Sequence, residues 1–335
     1  MDKESFDRVA KLAFGHIPLQ ALYVAVELRI TEKLSDQSKA ASELAKDPDV
    51  DSDFLERILK CLVSHGIFIE ENRQFKNNRC SEFLGADHPF TLAPTIKMYG
   101  ANWAWNAWGN LLEAVKSGKS SFLKTHSKPL FDFLSENEAA SRIFDHRMNG
   151  KPERRLIPLL DNYDFSGHKK IVDVGGGQGG ILFGILEKYP KLAGVLFDLG
   201  QSICRAKEIA KSRNLDTRCD CIEGSFFESV PAGGDLYLLA IVLHDWNDAD
   251  CIKILKNCRN AISEGGKLLI LERIVADSEK QPLDRLIDLE MMVMTEGGRE
   301  RTKEQFENLF SESGFKLEKA LPAEPMSILI ANPKT

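Results

Sequence analysis

The sequence predicts an α/β protein: a Rossmann-like, doubly wound sheet with an antiparallel last strand, preceded by a mostly helical half that ends in a winged helix. Three observations predict it. A glycine run, Asp173-Val-Gly-Gly-Gly-Gln-Gly-Gly180, lies between an apolar stretch at 171–172 and an amphipathic one at 181–189. From residue 168 onward, short apolar runs alternate with helix-period segments, which is the pattern of parallel strands joined by right-handed crossovers. Before residue 150 apolar side chains recur at helical spacing, interrupted by one hairpin.

Each element follows in order. Residues 21–27 and 28–34 carry helix-period apolar positions, and 41–46 is a short helix. Asp51 or Ser52 can cap the next helix, with Glu56 in its first turn, and Gly66 ends it after His65. Residues 67–70 and 74–76 then pair across Glu71-Asn72-Arg73, completing a winged-helix outline. Further helices fill 92–150, and Trp105 and Trp108 are neighbours three apart on one of them. Gly150, Pro152 and Pro158 mark the approach to a second domain, giving a helical domain over 1–155 and the sheet domain over 156–335. There, strands are expected at 170–174, 193–198, 218–223, 236–243 and 267–271. Helices are expected at 178–188, 201–212, 248–262 and 303–313. The continuous apolar run at 236–243 marks a strand buried on both faces. Segments 315–319 and 327–331, joined through 321–325, form a closing antiparallel hairpin.

Composition narrows the function. The chain has 335 residues, 44 basic against 50 acidic, a net charge of −6 and 43% apolar residues. That balance offers no electrostatic case for nucleic acid or an anionic membrane. The candidate recognition helix carries Asp51, Asp53 and Glu56 where a helix-turn-helix protein contacts bases, and those acids repel phosphate. Dimerisation or pocket closure is the better use of that half. The longest apolar run is far shorter than a membrane span, and the charged start lacks the apolar stretch of a secretion signal. Seven cysteines without zinc-ligand spacing read as reduced packing residues of a cytoplasmic protein.

The chemistry is concentrated at the expected strand ends. Gly175, Gly177 and Gly180 satisfy G-x-G-x-x-G, while Asp173, Gly175, Gly177 and Gly179 satisfy the acidic-x-G-x-G-x-G pattern of S-adenosylmethionine enzymes. On the motif alone, both a nicotinamide dinucleotide and S-adenosylmethionine stay open. Asp198 stands eighteen residues beyond Gly180, at a strand end where a carboxylate accepts from ribose hydroxyls. Ser225 and Phe226 follow the third strand, where an adenine edge and face would lie. His244 follows the buried central strand, at the mouth of such a site, and imidazole is suited to taking a proton near neutral pH. Glu272 and Glu300 can flank it and fix its tautomer.

Taken in order, Asp-Val-Gly-Gly-Gly, Phe-Asp-Leu, Gly-x-Phe-Phe, Leu-His-Asp-Trp and Gly-Gly-Arg-Glu-Arg-Thr resemble the S-adenosylmethionine-dependent O-methyltransferases. These include plant caffeate and flavonoid enzymes, acetylserotonin (hydroxyindole) O-methyltransferase, and bacterial antibiotic and phenazine methyltransferases. The resemblance covers nearly the whole chain and favours S-adenosylmethionine over the dinucleotide. It implies that Asp173, Gly175, Gly177, Asp198, Leu199, Gly224, Ser225 and Phe226 hold the cofactor, which leaves as S-adenosylhomocysteine. It implies His244 as general base, positioned by Glu272 and Glu300, with no metal. Trp105, Phe144, Met148, Asn149, Glu290, Met291, Met292 and Thr295 would face a small aromatic hydroxyl substrate, and the N-terminal half would make an intertwined homodimer. Three positions depart from the family pattern. Ser225 replaces an aspartate and so loses a charge-assisted contact. Ala240 replaces a cation four residues before the histidine, and Glu290 replaces an asparagine of the hydroxyindole enzymes. The alternatives within the fold are N-methylation of a heteroaromatic such as a phenazine, or a member that binds the cofactor without transferring methyl.

Overall fold

The computed structural model describes residues 2–149, 157–275 and 282–334. It divides into two compact units: Met1–Trp105 with Arg142–Met148, and Asn106–Ser141 with Asn149–Thr335. Helices between 106 and 141 therefore group with the sheet. The expected boundary at 155/156 lies outside the described residues.

The first unit opens with α1 (Lys3–Ala13), which the sequence reading did not anticipate, capped by the Asp2 side chain. None of its residues is buried, and Phe6, Val9 and Leu12 are 57%, 67% and 80% exposed. The helices α2 (His16–Glu27), α3 (Ile30–Leu34), α4 (Ala41–Leu44) and α5 (Ser52–Ser64) follow. Their buried faces meet in one core built on Ala21, Ile30, Leu34, Leu44, Leu55, Leu59 and Leu62. Asp51 caps α5 by accepting from Phe54 N at 2.9 Å. The wing is β1 (Ile69–Glu71) paired antiparallel with β2 (Gln74–Lys76). Asn72 and Arg73 both take positive φ, as a tight primed hairpin turn requires. Lys39 bridges Phe75 as a third short partner.

The second unit holds a seven-stranded sheet made of β3 (Lys170–Val174), β4 (Ala193–Asp198), β5 (Cys219–Glu223), β6 (Leu236–Ala240), β7 (Lys267–Glu272), β8 (Phe315–Ala323) and β9 (Met326–Pro333). Its order is β5-β4-β3-β6-β7-β9-β8. The first five strands are parallel, and β9 runs antiparallel to both neighbours. Alternation along each strand sends Ile171, Leu196, Leu238 and Leu269 to one core. Val172, Val195, Tyr237 and Ile270 go to the other. Both faces are therefore covered, which explains the unbroken apolar strands. The order reverses between β3 and β6, so their carboxyl ends open a crevice where ligands of doubly wound sheets bind.

Two strand expectations need correction. β6 stops at Ala240, three residues short of the apolar run, because Ile241 turns to φ +59° and residues 243–245 form a 3-10 turn. The closing hairpin is longer than predicted, because β8 and β9 pair along almost their whole length.

Candidate active site

The glycine turn lies between β3 and the helix Gly180–Lys188. Gly175 and Gly179 take φ +72° and +81°, and a β-carbon on Gly179 would sit 2.5 Å from the Phe183 ring. Only glycine fits there. Gly177 N donates to Asp198 Oδ2 at 2.7 Å, and Leu199 N donates to Oδ1 at 2.6 Å. Asp198 thus braces the turn through both carboxylate oxygens. Gly224 N donates to the Asp198 carbonyl at 3.0 Å, which brings the start of the Ser225-Phe226 turn alongside. Ser225 Oγ accepts from Phe227 N at 3.3 Å. A β-carbon on Gly175 would lie 3.4 Å from Phe226. The fold therefore gathers all eight expected cofactor residues at the carboxyl ends of β3, β4 and β5.

Asp173 is 1% exposed, and both its carboxylate oxygens are buried without a hydrogen-bond partner among the described residues. Burial, reinforced by the charge of Asp198, pushes its carboxyl up to about 7. A buried acceptor of this kind calls for a donor. Beside an open glycine turn and a helix N-terminus, the residues fit the polar end of an adenosyl-amino-acid ligand.

His244 lies on the 3-10 turn after β6, 8% exposed. Its Nδ1 is 2.9 Å from Glu300 Oε1. Facing a carboxylate, Nδ1 carries the proton and Nε2 points away from Glu300. Glu272 acts differently from the expected flanking acid. Its Oε1 accepts from Val242 N (2.9 Å), Leu243 N (2.8 Å) and His244 N (3.3 Å), while Oε2 stands 4.0 Å from Nδ1. It holds the histidine mainly through the backbone, and it offsets the unusual dihedral at Ile241, a conformation costing on the order of 1–3 kcal/mol. Asp245 Oδ1 lies 3.6 Å from Nε2, a neighbour that sequence spacing did not single out. Burial opposes charge on the imidazole, but Glu272, Asp245 and Glu300 outweigh it and push His244 up to about 10. Ligand-type atoms of His244, Glu272 and Glu300 lie within 4.8 Å of one another. Glu272 Oε1 and His244 Nδ1 are already committed to the bonds just described.

The expected substrate residues fall in both units. Trp105, Phe144 and Met148 belong to the first, where Trp105 lies 6.5 Å from the His16 ring. Asn149 ends its helix, with a side chain outside the described set. In the second unit Glu290 and Met291 are buried on the helix Pro282–Met294, and Met292 is half-buried. Thr295 Oγ1 donates to the Met291 carbonyl. A β-carbon on Gly298 would touch both Thr295 Oγ1 and the His244 carbonyl, so the end of this helix abuts the histidine turn. Sequence reasoning also missed Asp288, whose Oδ1 accepts from Glu300 N at 2.9 Å, and Trp246, stacked on Phe131 at 5.6 Å. Asp288 belongs to no motif, and Trp246 closes the Leu-His-Asp-Trp string without the string giving it a role.

This is the arrangement of a methyl-transferring enzyme of the doubly wound class, with a glycine turn, a strand-end aspartate and a histidine backed by carboxylates. Residues 108–316 match the O-methyltransferase domain family and 10–87 the O-methyltransferase dimerisation domain. The chain belongs to this family and is an S-adenosylmethionine-dependent O-methyltransferase. It is 35% identical over 321 residues to phenazine O-methyltransferase PhzM of Lysobacter antibioticus, covering 95% of this chain and 94% of that protein. The solved structure of LaPhzM superposes with a TM-score of 0.92 at 34% identity, covering 98% of each chain. NcsB1, an O-methyltransferase from neocarzinostatin biosynthesis solved with S-adenosylmethionine and 2-hydroxy-5-methyl naphthoic acid, gives 0.84 at 26% identity, covering 95% and 96%.

Proposed function

We propose that this enzyme methylates a hydroxyl of a small aromatic acceptor without a metal, with His244 as general base. The observation that carries the reading is the short Nδ1–Glu300 contact on a turn whose three amides are held by Glu272. S-adenosylmethionine supplies a methyl group already activated on a sulfonium. Asp173, the backbone of Gly175 and Gly177, and the helix N-terminus take its amino-acid end. Asp198 and Leu199 face the ribose, and Gly224, Ser225 and Phe226 the adenine. His244 Nε2 receives the hydroxyl proton as the oxygen–methyl bond forms and the sulfur–methyl bond breaks, and Glu300 steadies the resulting imidazolium. Within the second unit, Glu290, Met291, Met292 and Thr295 shape the acceptor site.

The high basicity of His244 belongs to the free protein. A second positive charge in the same site disfavours the charged form of the imidazole. A bound cationic cofactor therefore moves the imidazole back toward neutrality, freeing Nε2. The match to the dimerisation family and the wholly unburied α1 support a homodimer. The test is His244→Ala against a panel of phenols. Turnover should fall about 10²–10⁴-fold, the usual contribution of general base catalysis, while S-adenosylhomocysteine still binds. Unchanged turnover on the preferred acceptor would remove the base and leave methylation of a nitrogen.

A further inference from the structure

Arg301 is wholly buried, and its guanidinium reaches three acceptors. Nη1 donates to the Leu243 carbonyl at 2.8 Å and Nη2 to the Trp246 carbonyl at 2.7 Å. Nε and Nη2 both donate to Asp248 Oδ1, at 3.0 and 2.7 Å. Leu243 and Trp246 bracket His244 and Asp245, so the planar fork closes the turn from behind. Arg301 itself is anchored, because Val275 N donates to its carbonyl at 3.0 Å. Its neighbours grip the same histidine: Arg299 N donates to the His244 carbonyl at 2.8 Å, and Glu300 takes Nδ1. Three consecutive residues thus hold the backbone, the ring and the flanking carbonyls of one side chain. The Cys251 thiol supplies a second donor to the same two carbonyls, at 3.2 and 3.5 Å.

We propose that Arg301 is a positioning residue for His244, fixing the aim of Nε2 through the carbonyls on either side of the turn without touching a reactant. This rests on His244 being the base. Lysine cannot replace it, because one ammonium lacks the fixed fork that spans two carbonyls and a carboxylate.

The test needs no acceptor. In the full-length protein saturated with S-adenosylhomocysteine and labelled with ¹⁵N-histidine, the Nδ1 proton bonded to Glu300 gives a downfield line, assigned by its absence from His244→Gln. Arg301→Lys should shift or abolish this line while calorimetric affinity for S-adenosylhomocysteine is unchanged. An unmoved line overturns the proposal. Loss of line and ligand binding together also overturns it, making Arg301 a general packing residue. If Arg301→Lys does not fold, Asp248→Ala in the same complex removes the acceptor that Nε and Nη2 share, so the fork is no longer held square to the two carbonyls. It should shift the same line, and an unmoved line again overturns the proposal. Failure of the base reading is seen separately, as full turnover by His244→Ala, and leaves the response of the line to Arg301 intact.

Discussion

At the scale of the residue, two titrating groups make the site sensitive to protons and to charge. His244 is raised from 6.5 to about 10. Its imidazolium therefore stabilises the fold fully below pH 6.5, and that contribution disappears as pH rises through 10. Asp173, raised from 3.8 to about 7, acts in the same sense between those values, since the folded chain holds its proton more tightly. The ligand-free protein should accordingly lose thermal stability between pH 7 and 10. A pH-independent melting temperature across that window would contradict the His244 assignment, and one across pH 4–7 the Asp173 assignment. The same reasoning separates two ligands that differ by one charge. S-adenosylmethionine should bind more weakly than S-adenosylhomocysteine at pH 7, with proton release, and the gap should narrow toward pH 10. Calorimetry in buffers of different ionisation enthalpy measures both. Asp173→Asn should raise the ligand-free melting temperature at pH 8, by about 2–4 °C per kcal/mol recovered, yet weaken S-adenosylhomocysteine binding. Both positions were legible from the sequence, because Asp173 stands at the end of a strand before the glycine turn and His244 follows a strand. The backbone role of Glu272 was not, since its partners lie 28 to 30 residues away in sequence. Nor was Arg301, whose acceptors lie 53 to 58 residues away.

At the scale of the element, the turn after β6 depends on an acceptor for its amides. Glu272→Gln keeps an oxygen for Val242, Leu243 and His244, whereas Glu272→Ala leaves buried donors unmet, at about 1–3 kcal/mol for a group so exposed to apolar surroundings. Alanine should therefore lower the denaturation midpoint clearly more than glutamine does. Equal effects would show that the amide bonds contribute little. Most strands and helices of the sheet unit could be read from apolar period and glycine punctuation. The end of β6 could not, because Ile241 and Val242 continue the apolar run while a distant carboxylate turns the chain. Helix α1 escaped notice for the opposite reason: its apolar residues meet nothing in its own unit that would mark them as core.

At the scale of the whole molecule, that exposed face of α1 bears on assembly. With Phe6, Val9 and Leu12 over half exposed, Phe6→Glu with Leu12→Glu should shift the protein from dimer to monomer in analytical ultracentrifugation and leave the sheet unit folded. An unchanged sedimentation coefficient would place the interface elsewhere. No single described helix is long and apolar enough to cross a membrane.

The position of β9 has a consequence for how the chain comes off the ribosome. β9 follows every other strand in sequence yet lies inside the sheet, with β7 on one side and β8 on the other. β8 has no neighbouring strand until β9 emerges, so the sheet cannot close before synthesis has passed residue 333. A stop introduced at Met326 would remove an interior rung rather than trim an edge. It would leave β7 with an open apolar edge and β8 without a partner, and the product should collect in aggregates even though the glycine turn and His244 were already made.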